Sequence, residues 1–307
     1  MTTILYEDPI FALHHVPSGH LERAERVTAI QQRLAEQPFV LLKRGITMPA
    51  ELDDILAVHT THYAKRVRDS APERGIVTLD GDTFLSPHSY DAALMAAGAA
   101  CQAVADVFRG SNDSAFCIIR PPGHHASAAR AMGFCIFNNA AIAARCAQRR
   151  FGAKRVAIVD WDVHHGNGTQ EIFQDDPTVF YGSTHQMPLY PYTGYPTETG
   201  VGNIVNVALA SGAKTEAFQE GFEHAILPAM DRFSPDLILI SAGFDAHWRD
   251  PLGGLALTGD DFAWATGRLM EIADKHCAGR IVSLLEGGYD IEGLVESAAA
   301  HVTALMH

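Results

Sequence analysis

Four apolar runs in this chain each end in a cluster of small, helix-averse and proton- or metal-handling residues, and that recurring juncture restricts the fold more than any other feature. The runs are Ala115-Phe116-Cys117-Ile118-Ile119, Val156-Ala157-Ile158-Val159, Leu237-Ile238-Leu239-Ile240 and Leu284-Leu285. They give way respectively to Arg120-Pro121-Pro122-Gly123-His124-His125-Ala126, to Asp160-Trp161-Asp162-Val163-His164-His165-Gly166-Asn167-Gly168, to Ser241-Ala242-Gly243-Phe244-Asp245 and to Glu286-Gly287-Gly288-Tyr289-Asp290. A short continuous apolar run bounded by Gly, Pro and polar residues reads as a strand buried on both faces. In open α/β sheets ligands bind outside the carboxyl ends of the strands, so the clusters are expected along one rim.

Residues two apart on an extended stretch point to the same side, which brings Asp162 and His164 together with Asp160 in phase. One carboxylate and one imidazole so placed can reach a single ion, and Asp245 is the natural third ligand. Three protein ligands with a fourth position left open is the arrangement of a catalytic zinc site. A divalent ion there lowers the pKa of a bound water and polarises a carbonyl oxygen, which points to hydrolysis of an amide or ester. The prolines and glycine ahead of His124 and His125 fix the loop that carries them. Proton transfer needs that rigidity, because it works over about 2.6–3.2 Å. Gly287 and Gly288 let the backbone approach a ligand, and Tyr289 offers a hydroxyl to a developing oxyanion.

Strand candidates at 115–119, 155–160, 178–182, 203–208, 236–241 and 280–285 alternate with helical patterns at 21–36, 89–108, 138–150, 215–232, 259–276 and 291–306. Such alternation predicts a parallel sheet covered on both faces, a three-layer α/β/α architecture. The alanine-rich stretch 89–108 permits close packing, Ser89 or Asp91 is a candidate cap at its start, and Pro228 is expected to kink or shorten the helix over 215–232. At 307 residues and 47% hydrophobic content the chain can bury a large core, and no linker, repeat or run of like charge divides it, so one domain over 1–307 is expected. The five cysteines are scattered and never form a C-x-x-C pair, which favours a reducing compartment. The start Met1-Thr2-Thr3-Ile4-Leu5-Tyr6 lacks the basic and apolar regions of a signal peptide, and no apolar run of membrane-spanning length is expected. A cytoplasmic protein without a membrane partner follows. A net charge of −13 argues against nonspecific nucleic-acid binding.

Taken in order, these segments resemble those of the zinc-dependent histone deacetylase family in the arginase/deacetylase superfamily, specifically its class II-like bacterial branch with its acetylpolyamine amidohydrolase relatives. Met132-Gly133-Phe134-Cys135, Asn138-Asn139 and Asp250-Pro251-Leu252-Gly253-Gly254 add to the match, which covers most of the chain. The resemblance implies the arginase-like fold, with a central, mainly parallel sheet of about eight strands where pattern alone gives about six. It implies a hydrolase acting on linear amides, removing an acetyl or other acyl group from the side-chain amine of lysine. Asp162, His164 and Asp245 would bind one zinc, and His125 would act as general base and acid toward the water on the metal. His124, partnered by Asp160, would serve as an electrostatic neighbour, and Asn167 would back His125 where class I relatives carry Asp. Tyr289 and zinc would stabilise the oxyanion. A structural potassium ion would sit on backbone oxygens of Asp160, Asp162 and His164 with the hydroxyl of Ser183.

By the same resemblance Gly133 and Phe134, Tyr190, Leu252, Gly287 and Gly288 would border the substrate. Leu252 stands where relatives that prefer polyamines can place a glutamate, which tilts the reading toward acyl-lysine over a small acylated amine such as an acetylpolyamine. Asp80 and Asp82 fall where some relatives hold substrate backbone amides, although a surface turn explains Asp-Gly-Asp equally well. A catalytically silent acyl-lysine-binding or scaffold protein is the remaining alternative, and an oligomer is compatible with the sequence.

Overall fold

Strands with no polar face need cover on both sides, and the computed structural model, which describes residues 2–307, supplies it. Met1, inside the expected domain span, lies outside the described residues. The strands are β1 (Thr3–Tyr6), β2 (Lys43–Arg44), β3 (Val77–Asp80), β4 (Thr83–Leu85), β5 (Ser114–Cys117), β6 (Val156–Asp160), β7 (Val179–Gln186), β8 (Ile204–Leu209), β9 (Leu237–Ala242) and β10 (Ile281–Leu285). Eight of them form one sheet in the order β2-β1-β5-β10-β9-β6-β7-β8, parallel at every pairing, while β3 and β4 make a separate antiparallel hairpin.

The helices are α1 (Glu25–Leu34), α2 (Leu52–Ile55), α3 (Thr61–Ser70), α4 (Ser89–Phe108), α5 (Asn139–Phe151), α6 (Asn167–Phe173), α7 (Thr215–Gly221), α8 (Leu227–Phe233), α9 (Gly259–His276) and α10 (Ile291–Leu305). Successive residues of a strand face opposite sides of the sheet. On β5 the Cys117 thiol reaches the Ala99 carbonyl of α4, whereas the Phe116 ring meets His301 of α10. Helices α4 and α5 therefore cover one face, and α10, with α9 and α1 against it, covers the other. The expected three layers and eight-stranded parallel sheet are present.

Local chemistry sets the helix ends that border the sheet rim. Asn138 caps α5 by accepting from the Ala141 N–H, and Asp290 caps α10 by accepting from the Gly293 N–H. Thr258 and Asp261 form a reciprocal capping box at the start of α9.

Several expectations change. The strands β1 and β2 and the hairpin were not expected; four and two residues are too short for a hydrophobic period to register. The helix expected over 215–232 is α7, a π-helical turn over Phe222–Ile226, and α8; the Leu227 N–H still bonds back to the Phe222 carbonyl, and Pro228, which has no N–H to donate, follows directly where the ladder changes from π to α. Neither Ser89 nor Asp91 caps α4: His88 occupies that position, and the Ser89 hydroxyl instead accepts from the Ser86 N–H at 2.7 Å and meets His14 Nδ1 at 2.6 Å. The expectation about apolar length also needs correction. With 20 residues and a mean hydropathy of 1.3, α4 is long and apolar enough to cross a membrane, yet its alanine-rich surface is buried against α5 and the sheet.

Gly98 of α4 is where a connecting segment crosses. A Cβ there would strike the Met48 carbonyl oxygen and lie 2.6 Å from the Ala50 nitrogen, both backbone atoms that cannot swing aside. Gly98→Ala is expected to destabilise the fold by about 1–3 kcal/mol, the usual range for overpacking. Gly267→Ala on α9, where a Cβ meets nothing within 4 Å, is expected to be neutral or to stabilise. Urea denaturation checks both through the midpoint at constant m.

Candidate active site

The loop after β6 carries Asp162 and His164, the loop after the adjacent β9 carries Asp245, and their ligand-capable atoms all lie within 4.8 Å of one another. All three residues are buried. His164 Nδ1 sits 3.1 Å from Asp162 Oδ1 and 3.1 Å from Asp245 Oδ2. The other carboxylate oxygens are fixed from behind, Asp162 Oδ2 by the Gly287 N–H at 2.8 Å and Asp245 Oδ1 by the Val163 N–H at 2.7 Å. Gly287 can come this close only because it lacks a Cβ, which would collide with the Asp245 carboxylate.

Two carboxylates and one imidazole buried against one another shift each other's ionisation strongly. Burial, and then the charge of Asp162, push the Asp245 carboxyl up to about 7. Burial opposes the charge on His164, but the two carboxylates outweigh it and raise the imidazole to about 10. One nitrogen and two carboxylate donors converging in a buried, electron-rich cluster suit a divalent ion of the zinc type, so the donor set fits the expected metal.

The histidine pair stands beside this cluster on the loop after β5. His124 Nδ1 meets Asp160 Oδ2 at 3.0 Å, and His125 Nδ1 meets Asn167 Oδ1 at 2.8 Å. For His124, burial works against the cation, but Asp162, Asp160 and Glu286 overcome it and hold the imidazole well above its ordinary value. His125 goes the other way: burial and the neighbouring His124 and His164 push it well below 6.5. The pair is thus split into one charged and one neutral imidazole by environment alone. Tyr181 adds a hydroxyl to Asp160 Oδ2 at 3.0 Å.

A cavity of about 210 Å³ opens onto this chemistry, with His125, His164 and Tyr289 at its walls beside Phe134, Tyr190 and Leu252. Gly133 and Phe134 take left-handed backbone, φ 56° and 68°, and a Cβ on Gly133 would run into the His125 ring. Gly287 and Gly288, expected at the substrate, are not among the cavity-lining residues. Instead Gly287 holds Asp162, and the Gly288 carbonyl accepts from Arg26 Nε at 2.6 Å. Ser183 pairs with Asp160 across β6 and β7, its hydroxyl 2.9 Å from His185 Nδ1.

Asp82, weighed against a surface turn, lines the cavity, and its carboxylate accepts from the Gly133 N–H at 2.9 Å and the Tyr190 hydroxyl at 3.3 Å. Three further supports went unread in the sequence. The Glu286 carboxylate accepts the Gly123 N–H at 2.6 Å and the His124 N–H at 3.1 Å, tying the histidine loop to the tyrosine loop. Asp250 accepts from the backbone N–H of Tyr289 at 2.7 Å and of Leu252 at 2.9 Å. Fully buried Glu22 pairs with fully buried Arg26 and Arg120; Arg26 also donates to the Glu286 carbonyl, and its guanidinium lies 5.0 Å over the Tyr289 ring. Nothing local in the sequence around Arg26 or Arg120 marks Glu22 as their common partner.

A family model described as histone deacetylase domain matches residues 20–305. The chain is 40% identical over 313 residues to a probable deacetylase of Archaeoglobus fulgidus, covering 100% of this chain and 86% of that relative. It is 40% identical over 278 residues to a histone deacetylase-like amidohydrolase of Pseudomonas aeruginosa, covering 89% and 73% of the two chains. The crystal structure of the HDA15 HD domain matches with a TM-score of 0.94 at 37% identity, over 99% of this chain and 88% of that one.

Zinc at 100 times its dissociation constant is expected to stabilise the protein by about 2.7 kcal/mol, seen as a higher Tm. Asp245→Ala should lose that response in the same thermal scan; an equal rise in the variant would mean that the metal binds elsewhere.

Proposed function

The chain belongs to the histone deacetylase family, and from that premise we propose that it is a zinc-dependent hydrolase that removes an acetyl or other acyl group from the side-chain amine of lysine. The observation that carries this reading is the meeting, around one cavity, of a neutral imidazole, a phenol hydroxyl and the Asp162, His164 and Asp245 cluster. Zinc on that cluster would supply Lewis-acid polarisation of the acyl carbonyl and a lowered pKa for a bound water.

The remaining steps rest on the chain's own groups. His125 donates Nδ1–H to Asn167 Oδ1, which leaves Nε2 with a free lone pair to take a proton from the attacking water. The same nitrogen then returns the proton to the departing amine, so no covalent acyl-enzyme forms. Burial raises the Tyr289 phenol well above its ordinary value, so the hydroxyl keeps its proton and donates it in a hydrogen bond to the developing oxyanion. His124, held as a cation by Asp160 and Asp162, contributes fixed positive charge beside the reacting centre. Phe134 and Tyr190 offer apolar walls for an alkyl amine chain. A structural potassium ion beneath the loop, with Ser183 contributing its hydroxyl, completes the proposal.

The same chemistry on a small acylated amine, such as an acetylpolyamine, is the second reading, and it is favoured by the Asp82 carboxylate on the cavity wall, a potential partner for a second ammonium group. Leu252 offers no such charge and supports the lysine reading. A silent scaffold would have no use for a histidine pair split into acid and base forms. The buried, unpaired cysteines among the described residues are consistent with a reducing compartment such as the cytoplasm.

Acetate release from an acetyl-lysine peptide is expected to exceed release from acetylputrescine, and Tyr289→Phe is expected to lower kcat by about 10²–10³ with zinc content and Tm unchanged. Undiminished turnover in that variant would sink the proposal. The base must be neutral to act, so activity falls as pH drops through the His125 pKa, well below 6.5. An Asn167→Asp substitution favours the imidazolium and should move the acid limb of kcat/KM to higher pH; an unmoved limb would assign it to another group.

A further inference from the structure

The connection between β7 and β8 supplies Tyr190 to the cavity, yet little apolar burial holds it in place. Leu189 packs against the core, but within 187–202 Gly194 alone is buried. The exposed Tyr192 and Tyr195 flank the point where this segment touches the interior, at Thr193 and Gly194. From centroid to centroid, the Tyr190 ring stands 5.3 Å from the His125 ring and 6.2 Å from the His164 ring.

His165, which directly follows His164, is the interior partner at that point, and the hydrolytic scheme gives it no task. It is buried, with Nδ1 2.8 Å from Thr193 Oγ1 and Nε2 2.9 Å from Gln170 Oε1. The surrounding groups set the direction of these bonds. A carboxylate only accepts, and Gln170 Nε2 donates to Glu198 Oε2 at 2.6 Å, so Gln170 Oε1 is turned to accept from His165 Nε2–H. His165 Nδ1 is then the acceptor of the Thr193 hydroxyl. The same Glu198 oxygen accepts the Gly194 N–H at 3.1 Å, and His185 Nε2 meets the Gly194 carbonyl at 2.9 Å. Gly194, with φ 86°, lays its backbone on both imidazoles: a Cβ there would come 2.5 Å from the His165 ring and 2.6 Å from His185 Nε2.

We propose that His165 is a positioning residue for substrate binding: by holding Thr193 and Gly194 it fixes the Tyr190 wall against the loop that carries Asp162 and His164. This rests on the reading of Tyr190 as a wall for the alkyl chain of acyl-lysine. One imidazole next in sequence to a metal-cluster residue thus sets the spacing between that cluster and the wall. Its contribution belongs to the holding of the chain, because Tyr190 contacts the substrate's alkyl part and not the carbon under attack. A contact made equally in the ground and transition states lowers KM and leaves kcat alone.

Replacing His165 itself would disturb its neighbour His164, so the test changes the loop side of the contact. Thr193→Val removes the hydroxyl at nearly constant shape, and Gly194→Ala drives a methyl group into the His165 ring. In the zinc-loaded, full-length protein each is expected to raise KM for an acetyl-lysine peptide by about tenfold, the scale of one buried hydrogen bond, with kcat and zinc content unchanged. In a Tyr190→Ala background neither should raise KM further, since the two changes then act on the same contact. Amide hydrogen exchange over 188–198 should be faster in Thr193→Val than in the wild type. An unchanged KM, a full additional rise in the Tyr190→Ala background, a fall in kcat with loss of zinc, or equal exchange in the two proteins would each overturn the proposal. A wild type that releases no acetate would strike the proposed function instead, and the exchange comparison, which needs no turnover, would then decide the anchor by itself.

Discussion

Glu22 is the point from which the rest of the molecule's interior is strung. Its carboxylate, with no exposure to solvent, holds both Arg26 and Arg120, and these arginines spend their remaining donors on the carbonyl oxygens of Phe11, His14, Glu286 and Gly288. Three segments far apart in the chain are therefore fixed by one charge: the N-terminal arm, the histidine loop after β5 and the tyrosine loop after β10. Burial opposes the ionisation of Glu22, yet the two guanidinium groups hold its carboxyl below the usual carboxylate range. Removing one member of such a group strands the others without solvation, at a cost of about 3–5 kcal/mol. That cost is what makes the loop geometry insensitive to small perturbations elsewhere.

The sheet order explains why those loops meet. The strands β5, β10, β9 and β6 are consecutive neighbours, and the segments following them supply in turn the histidine pair, Tyr289, Asp245, and Asp162 with His164. Parallel strands place all four carboxyl ends on the same rim, about 4.8 Å apart from strand to strand. The chain thus needs no long excursion to assemble six polar groups; adjacent hydrogen-bonded backbones already set them side by side. The apolar strands behind them keep water away, which strengthens each charge interaction at the rim.

This economy also accounts for what the sequence reveals. The four junctures were legible because a strand buried on both faces leaves an unbroken apolar run, and the residues that follow it are forced toward glycine, proline, histidine and aspartate by what the rim requires. Placement of the expected metal and proton-handling residues follows directly. What escaped notice acts over distance or through the backbone. Glu22 is an ordinary glutamate in a polar stretch until its two partners fold onto it. Asp250 and Glu286 work by accepting main-chain N–H groups, which carry no side-chain signature. Gly287 and Gly288 look like a ligand-approach pair, but the approach is to the protein's own carboxylate and arginine. The short strands β1 and β2, the latter at the sheet edge, are set by pairing with β5 and with each other, not by their own pattern.

The helix caps reach beyond local stability. Asn138 and Asp290 open α5 and α10 right beside the histidine loop and Tyr289, and α6 begins at Asn167, the partner of His125. The start of a longer helix carries roughly half a positive charge from aligned peptide dipoles. A rim crowded with buried carboxylates is therefore faced by a positive field that belongs to the backbone. Unlike a lysine or a histidine, that field cannot be titrated away or lost by a side-chain substitution, so part of the electrostatic environment at this centre is written into the path of the chain.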